Sequence, residues 1–574
     1  MAMETQLVPS PSYEPNPCYA TVSGGVEVGW GEPVAQLPES PLVLAVDGPA
    51  VLDWARVVDG LCLALNAHGL TTQRLDLRTW FAPWPEIVKI TSSPALAADA
   101  DFDRLADGDL AQLFPNLPET ARPSTGVLVA FGPGAARLRY DVLWYVDLPK
   151  RYAEAEVAAG RGSNLGQRSE DGAATTKRLF YIDWPLLDRH RDVIAGSVDR
   201  WVDAQDPARP TSIDAATLRQ TVRELARLPF RTRPTFNTTP WGGHWAQRRL
   251  GFNVDAPNTA LGYELIAPES GVLVGDRAAA VELPFQLIVA SHPRQLLGPD
   301  VHQTFGTSFP IRFDYLDTVD GGNLSVHCHP RSGYMEEVFG WPYPQHETYY
   351  LMVGGKDQRV FLGLRGDVDV AEFHRRAERA DNDGSALDIE RYVQAFPAEP
   401  HRLFCVPAGT PHGSGVGNVV LEVSATPYLY SLRFYDWQQR DATGAQRPVH
   451  VMHAFRNLDV ERTGMAVQSD LIQEPRTLRV GEGWREELLG SLPEMFFEVR
   501  RLVLSSDRTL EENTAGRFHV LNVVEGEGVM VEPAEGPVHP LTYAETLILP
   551  AAVGKYRLRR IGDQRVRLVK ALVR

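Results

Sequence analysis

Cysteine is scarce in this sequence: four residues in 574, Cys18, Cys62, Cys328 and Cys405, with no C-x-x-C pair among them. That spacing excludes a disulfide scaffold and predicts reduced side chains in a reducing compartment. A basic stripe is also missing, and the formal charge of -16 opposes any partner that presents phosphates or anionic lipid, so neither nucleic acid nor membrane is expected as a partner. No apolar run is long enough to cross a bilayer, and the first residues, MAMETQLVPSPSYEPNP, lack the basic-then-apolar pattern of a secretory signal. A cytoplasmic protein with a small-molecule partner is the expectation, and its oligomeric state is left open.

What is present is length and turn chemistry. At roughly 150 residues per domain, 574 residues predict about three or four units. The composition is that of a globular protein, 44% hydrophobic and 23% charged, and 48 glycines with 43 prolines favour turn-rich β structure. Residues 1–38, rich in Pro and Gly, read as an irregular arm. An α/β unit is expected over 39–232, a cupin unit over 233–480 with a helical insertion at about 370–397, and a second β unit over 481–574.

The α/β reading rests on alternation. PLVLAVDGPA (41–50) is an apolar strand, and Val51–His68 follows with helical spacing of Leu52, Val57, Val58, Leu61 and Leu65, closed by Gly69. Strand-like runs at Val127–Phe131 and Val142–Val146 and helical patterns at Trp184–Asp203 and Ala215–Leu228 predict a parallel sheet, whereas 160–176 reads as a polar loop. This opening resembles a nucleoside-kinase-type P-loop domain, but a phosphate loop needs a second Gly and a Lys. Asp53 and Trp54 stand there instead, which implies a degenerate, non-catalytic kinase-like unit. An unrelated α/β domain is the alternative.

From Asn237 onward short strands separated by Gly and Pro turns predict a β-sandwich or jelly roll. Within NLSVHCHP, His327 and His329 lie two apart, which in a strand points both imidazoles to one face. Glu347 opens the next strand-like run, and His412 follows the PAGTPH turn. H-x-H, a Glu eighteen residues on and a later lone His is the ligand order of a cupin barrel. Three neutral imidazoles and one carboxylate suit a single divalent ion, zinc first, then manganese, iron, nickel or cobalt, with room for substrate oxygens. The last unit carries only His519 and His539, twenty residues apart, and reads as a cupin-like fold with a structural role.

The stretch from about Trp241 to Asn457 resembles the type I phosphomannose isomerases. TPWGG, LGYELIAPESGVLVG, FPIRFDYLDTVDGGNLSVHCHP, VPAGTPHGSGVGNVVLEVSA and LRFYDWQQR follow that family's blocks in order. The resemblance implies metal ligation by His327 (Gln in the family), His329, Glu347 and His412. It also implies proton transfer by Glu422, with anchoring by Arg433, and a substrate cleft that includes Trp241 and Ser325. Two family lysines are absent, with Gln345 and Asp314 in their places, so a substrate phosphate would have to rely on Arg312, Arg433 or His346.

The expected activity is a metal-dependent aldose–ketose isomerase acting on a sugar or sugar phosphate through an enediol, with Glu422 as base and His346 as second choice. Two alternatives stay open. His327 restores the three-His, one-Glu set of cupin dioxygenases, and the missing lysines fit a catalytically silent sugar-binding or sensing protein.

Overall fold

A computed structural model gives the arrangement of residues 13–120, 122–426, 430–440 and 444–574. The first twelve residues of the expected arm lie outside these. The chain forms a multidomain, sheet-rich molecule, and among the described residues no helix is long and apolar enough to cross a membrane.

The N-terminal sheet has seven strands in the order Glu27–Val28, Thr211–Asp214, Arg200–Asp203, Val142–Asp147, Leu42–Asp47, Val127–Phe131 and Thr72–Asp76. The last five run parallel. Leu42–Asp47 is buried at every position, as a central parallel strand covered on both faces should be, which explains its unbroken apolar run. Helix Trp54–Ala67 buries Val57, Val58, Leu61, Cys62 and Leu65 on one stripe. Its N-cap is Asp53, whose carboxylate accepts from the Arg56 N–H at 3.1 Å. The helix end that would cradle a phosphate therefore carries its own anion.

Residues 233–476 contribute two facing sheets and the strands Gly271–Gly275 and Ala280–Pro284 of a third, three-stranded one. The larger runs Leu403–Val406, Glu347–Val353, Val419–Ala425, Ile311–Asp317, Leu261–Leu265, Thr235–Asn237. The smaller runs Val393–Pro397, Arg359–Leu364, His412–Ser414, Val326–Cys328, Leu432–Tyr435. A further pair of sheets, of six and four strands, completes the chain, and its first strand, Arg476–Gly481, begins ahead of residue 481 because it pairs with Trp484–Gly490.

Three sequence expectations need correction. The helical insertion ends at Asp383, and Val393–Pro397 is instead a strand, taken up at the open edge of Arg359–Leu364. The pattern from Trp184 stays helical only to Ser197, and Arg200–Asp203 joins the parallel sheet. The expected irregular arm is partly ordered: Cys18–Tyr19 and Glu27–Val28 each add a short strand to a sheet.

Candidate metal centre

His327 and His412 are register partners on adjacent strands, and Glu347 opens a strand of the facing sheet. His329 follows the end of Val326–Cys328, two residues beyond His327. Their ligand atoms lie within 4.8 Å of one another, and the four residues are 6%, 2%, 1% and 0% exposed in the order His327, His329, Glu347, His412.

Each imidazole is aimed by a main-chain oxygen. His327 Nδ1 reaches the Ser325 carbonyl at 3.0 Å, His329 Nδ1 the Tyr430 carbonyl at 3.2 Å, and His412 Nδ1 the Thr410 carbonyl at 2.9 Å. A carbonyl oxygen only accepts, so each Nδ1 carries a hydrogen, and in the neutral ring Nε2 then presents its lone pair. Burial, followed by the neighbouring His412 and His329, holds His327 well below the usual histidine range. Burial likewise lowers His329. Burial alone would raise the Glu347 carboxyl, but His329 and His412 hold it well below the carboxylate range.

Neutral His329 Nε2 then stands 2.8 Å from an ionised Glu347 oxygen and has no hydrogen-bond partner, and His412 Nε2 lies 3.0 Å from the other oxygen. A divalent cation among these atoms would satisfy the imidazole nitrogens and the carboxylate together. The surrounding face adds to the demand, since Glu347, Glu422 and Asp314 share it with one guanidinium, Arg312. The donor set fits one divalent cation.

The other predicted residues divide. Glu422 lies opposite Tyr349 and Asp314 in register, so all three side chains leave one face of the sheet together with Glu347. Its carboxylate accepts from Arg312 Nη2 and Ser424 Oγ, both at 2.9 Å, and burial, with Asp314 and Glu347 nearby, raises it well above the carboxylate range. Arg312 is committed to Glu422 and Asp314. Gln345 donates to Glu347 Oε1, and Ser325 meets the site through its carbonyl.

Arg433 is the register partner of His327, so its side chain leaves the ligand face. His346 points elsewhere: its Nδ1 accepts from the Ala408 N–H at 3.1 Å, and it lines a separate cavity of about 500 Å³ with Arg331, Arg456 and Arg462. Alternation along the strand accounts for this, because the residue before Glu347 faces away from it. Trp241 is 3% exposed and packs in the main core.

Sequence reasoning missed two groups. The Tyr349 hydroxyl is buried without a hydrogen-bond partner, with its ring 5.6 Å from that of His412. Its place two residues after Glu347 was the available signal. The acidic run Asp99, Asp101, Asp103 of the N-terminal unit docks beside Arg433, Tyr430 and His450, and the sequence offered only its charge density.

Comparison with known proteins supplies relatives for two parts of the chain. Residues 29–227 match a family model described as a domain of unknown function (DUF8485). Mannose-6-phosphate isomerase ManA of Bacillus subtilis is 26% identical over 334 residues, covering 58% of this chain and 95% of that protein. The mannose-6-phosphate isomerase of Streptococcus mutans is 24% identical over 320 residues, covering 55% and 90%. The crystal structure of the Bacillus subtilis mannose 6-phosphate isomerase superposes with a TM-score of 0.48 at 20% identity, covering 60% of this chain and 99% of that one. Sequence similarity to proteins named as mannose-6-phosphate isomerases thus extends over 58% and 55% of the chain.

Proposed function

We propose that this chain is a metal-dependent aldose–ketose isomerase acting on a sugar or sugar phosphate, with zinc as its ion. The observation that carries the reading is the cage itself: three imidazoles held through Nδ1 by main-chain carbonyls cluster with Glu347, and two of them, His329 and His412, bring Nε2 to its carboxylate oxygens. The named activity of the relatives supports the reaction class.

A bound divalent ion would supply a Lewis acid that polarises a carbonyl oxygen and orients the neighbouring hydroxyl. Glu422, on the same face as Glu347, takes the proton from the carbon bearing that hydroxyl and returns it to the adjacent carbon, while the hydroxyl proton passes to the former carbonyl oxygen, so the substrate passes through an enediol and the carbonyl moves by one carbon. Arg312 and Ser424 fix the carboxylate. The unit over 39–232 we read as kinase-like without phosphoryl transfer. Its parallel sheet supports that reading, and Asp53 occupies the helix end.

The test is NMR of the zinc-loaded protein with hexoses and hexose phosphates in D2O. Aldose–ketose exchange with deuterium entering at C1 or C2 is expected, and its absence across the panel sinks the proposal. The three-His, one-Glu set favours one rival, a dioxygenase, which iron-dependent oxygen uptake would reveal.

A further inference from the structure

The four cage residues are sealed, but the Arg433 side chain beside His327 is 17% exposed, and Asp101, its partner from the N-terminal unit, is 32% exposed. This ion pair is therefore more open to solvent than the cage, and Arg433 is the register partner of the cage residue His327. Asp101 Oδ2 accepts from Arg433 Nη2 at 3.4 Å and from His450 Nε2 at 2.7 Å. His450 Nδ1 accepts from the Arg433 main-chain N–H at 3.2 Å, so its hydrogen is on Nε2 and the donation to Asp101 is fixed.

The neighbouring residues hold that carboxylate in place. Phe102 is wedged against His450 with ring centroids 4.4 Å apart, and His453 Nε2 meets Asp99 Oδ2 at 2.9 Å. The Tyr430 hydroxyl donates to the Asp103 carbonyl at 2.9 Å. The other cation of the site, Arg312, is already paired with two carboxylates.

From this juxtaposition, and resting on the isomerase reading, we infer that Asp101 is a specificity-determining residue that reserves the cleft for uncharged, unphosphorylated sugars. A protein carboxylate is paired with Arg433, one of the cations on which a substrate phosphate would have to rely. An incoming dianion would have to displace Asp101 and meet Asp99 beside it. A neutral sugar leaves the pair intact and can hydrogen-bond to either member. The N-terminal unit thereby becomes part of the sugar site.

Two unreactive probes, glucitol and glucitol 6-phosphate, test this by calorimetry on the full zinc-loaded chain, alongside turnover of mannose and mannose 6-phosphate. The intact protein should bind glucitol at least as tightly as its phosphate. Asp101→Asn should move the ratio at least tenfold toward the phosphate, while Asp101→Glu should keep the original ratio. Asp101→Ser, uncharged but differently shaped, should move it as Asp101→Asn does, which keeps the test open if one variant fails to fold. The inference is overturned if the intact protein binds the phosphate tenfold better, if removing the charge moves the ratio less than twofold, or if neither probe binds. Absence of turnover with the binding ratios as expected would sink the isomerase reading alone.

Discussion

A main-chain oxygen sets the tautomer of each cage histidine, and that positioning makes the ligand set vulnerable one residue at a time. His412→Ala should weaken zinc binding at least about 100-fold, since loss of even a supporting partner costs about 10–100-fold, while the melting behaviour of the zinc-free protein stays close to the original. Metal analysis of the purified variant reads this out, and full zinc occupancy would refute the ligand assignment. Glu422→Gln should behave in the opposite way: metal retained, isomerisation reduced by about 10²–10⁴-fold, the range for a lost general base. The four clustered residues were legible because H-x-H and the PAGTPH turn are local patterns. Their supports were not, because the carbonyl that aims His329 belongs to Tyr430, 101 residues away, and any residue type supplies a carbonyl.

At the scale of the element, register decides which side chains meet. Val419–Ala425 lies between Ile311–Asp317 and Glu347–Val353, and this brings Glu422 level with both Asp314 and Tyr349. Sequence alone could place Glu422 on a strand but not choose the neighbours of that strand. It also read Val393–Pro397 as helix, because hydrophobic spacing over so short a run fits both periods and only the unpaired edge of Arg359–Leu364 settles the matter. The helix Trp54–Ala67 was readable from its stripe and its cap. Asp53→Ala should cost about 1 kcal/mol by removing the bond to the Arg56 N–H, measured as a lower urea midpoint, with zinc content unchanged.

The whole molecule is held by contacts between units that no single stretch of sequence announces. Glu282 is 1% exposed and pairs with Arg151 of the parallel-sheet unit and with Arg233, while its N–H donates to Asp203. Close by, Asp147 is buried, and desolvation raises it to about 7, with Arg191 opposing. A carboxyl raised in the folded state holds a proton that the unfolded chain has released, so its contribution is full below the unfolded value near 4 and is lost as pH rises through 7. Asp147→Asn should remove that slope: relative to the variant, the intact protein should lose on the order of 2–4 kcal/mol between pH 4 and 8, read from urea midpoints. Tyr430 joins the units at the cage itself, its carbonyl bonded to His329 and its hydroxyl to Asp103. The two facing sheets cut free of their N-terminal partner would therefore release one ring of the four-residue cage from behind, so dissecting the chain into separately produced halves should loosen that cluster before it unfolds either half.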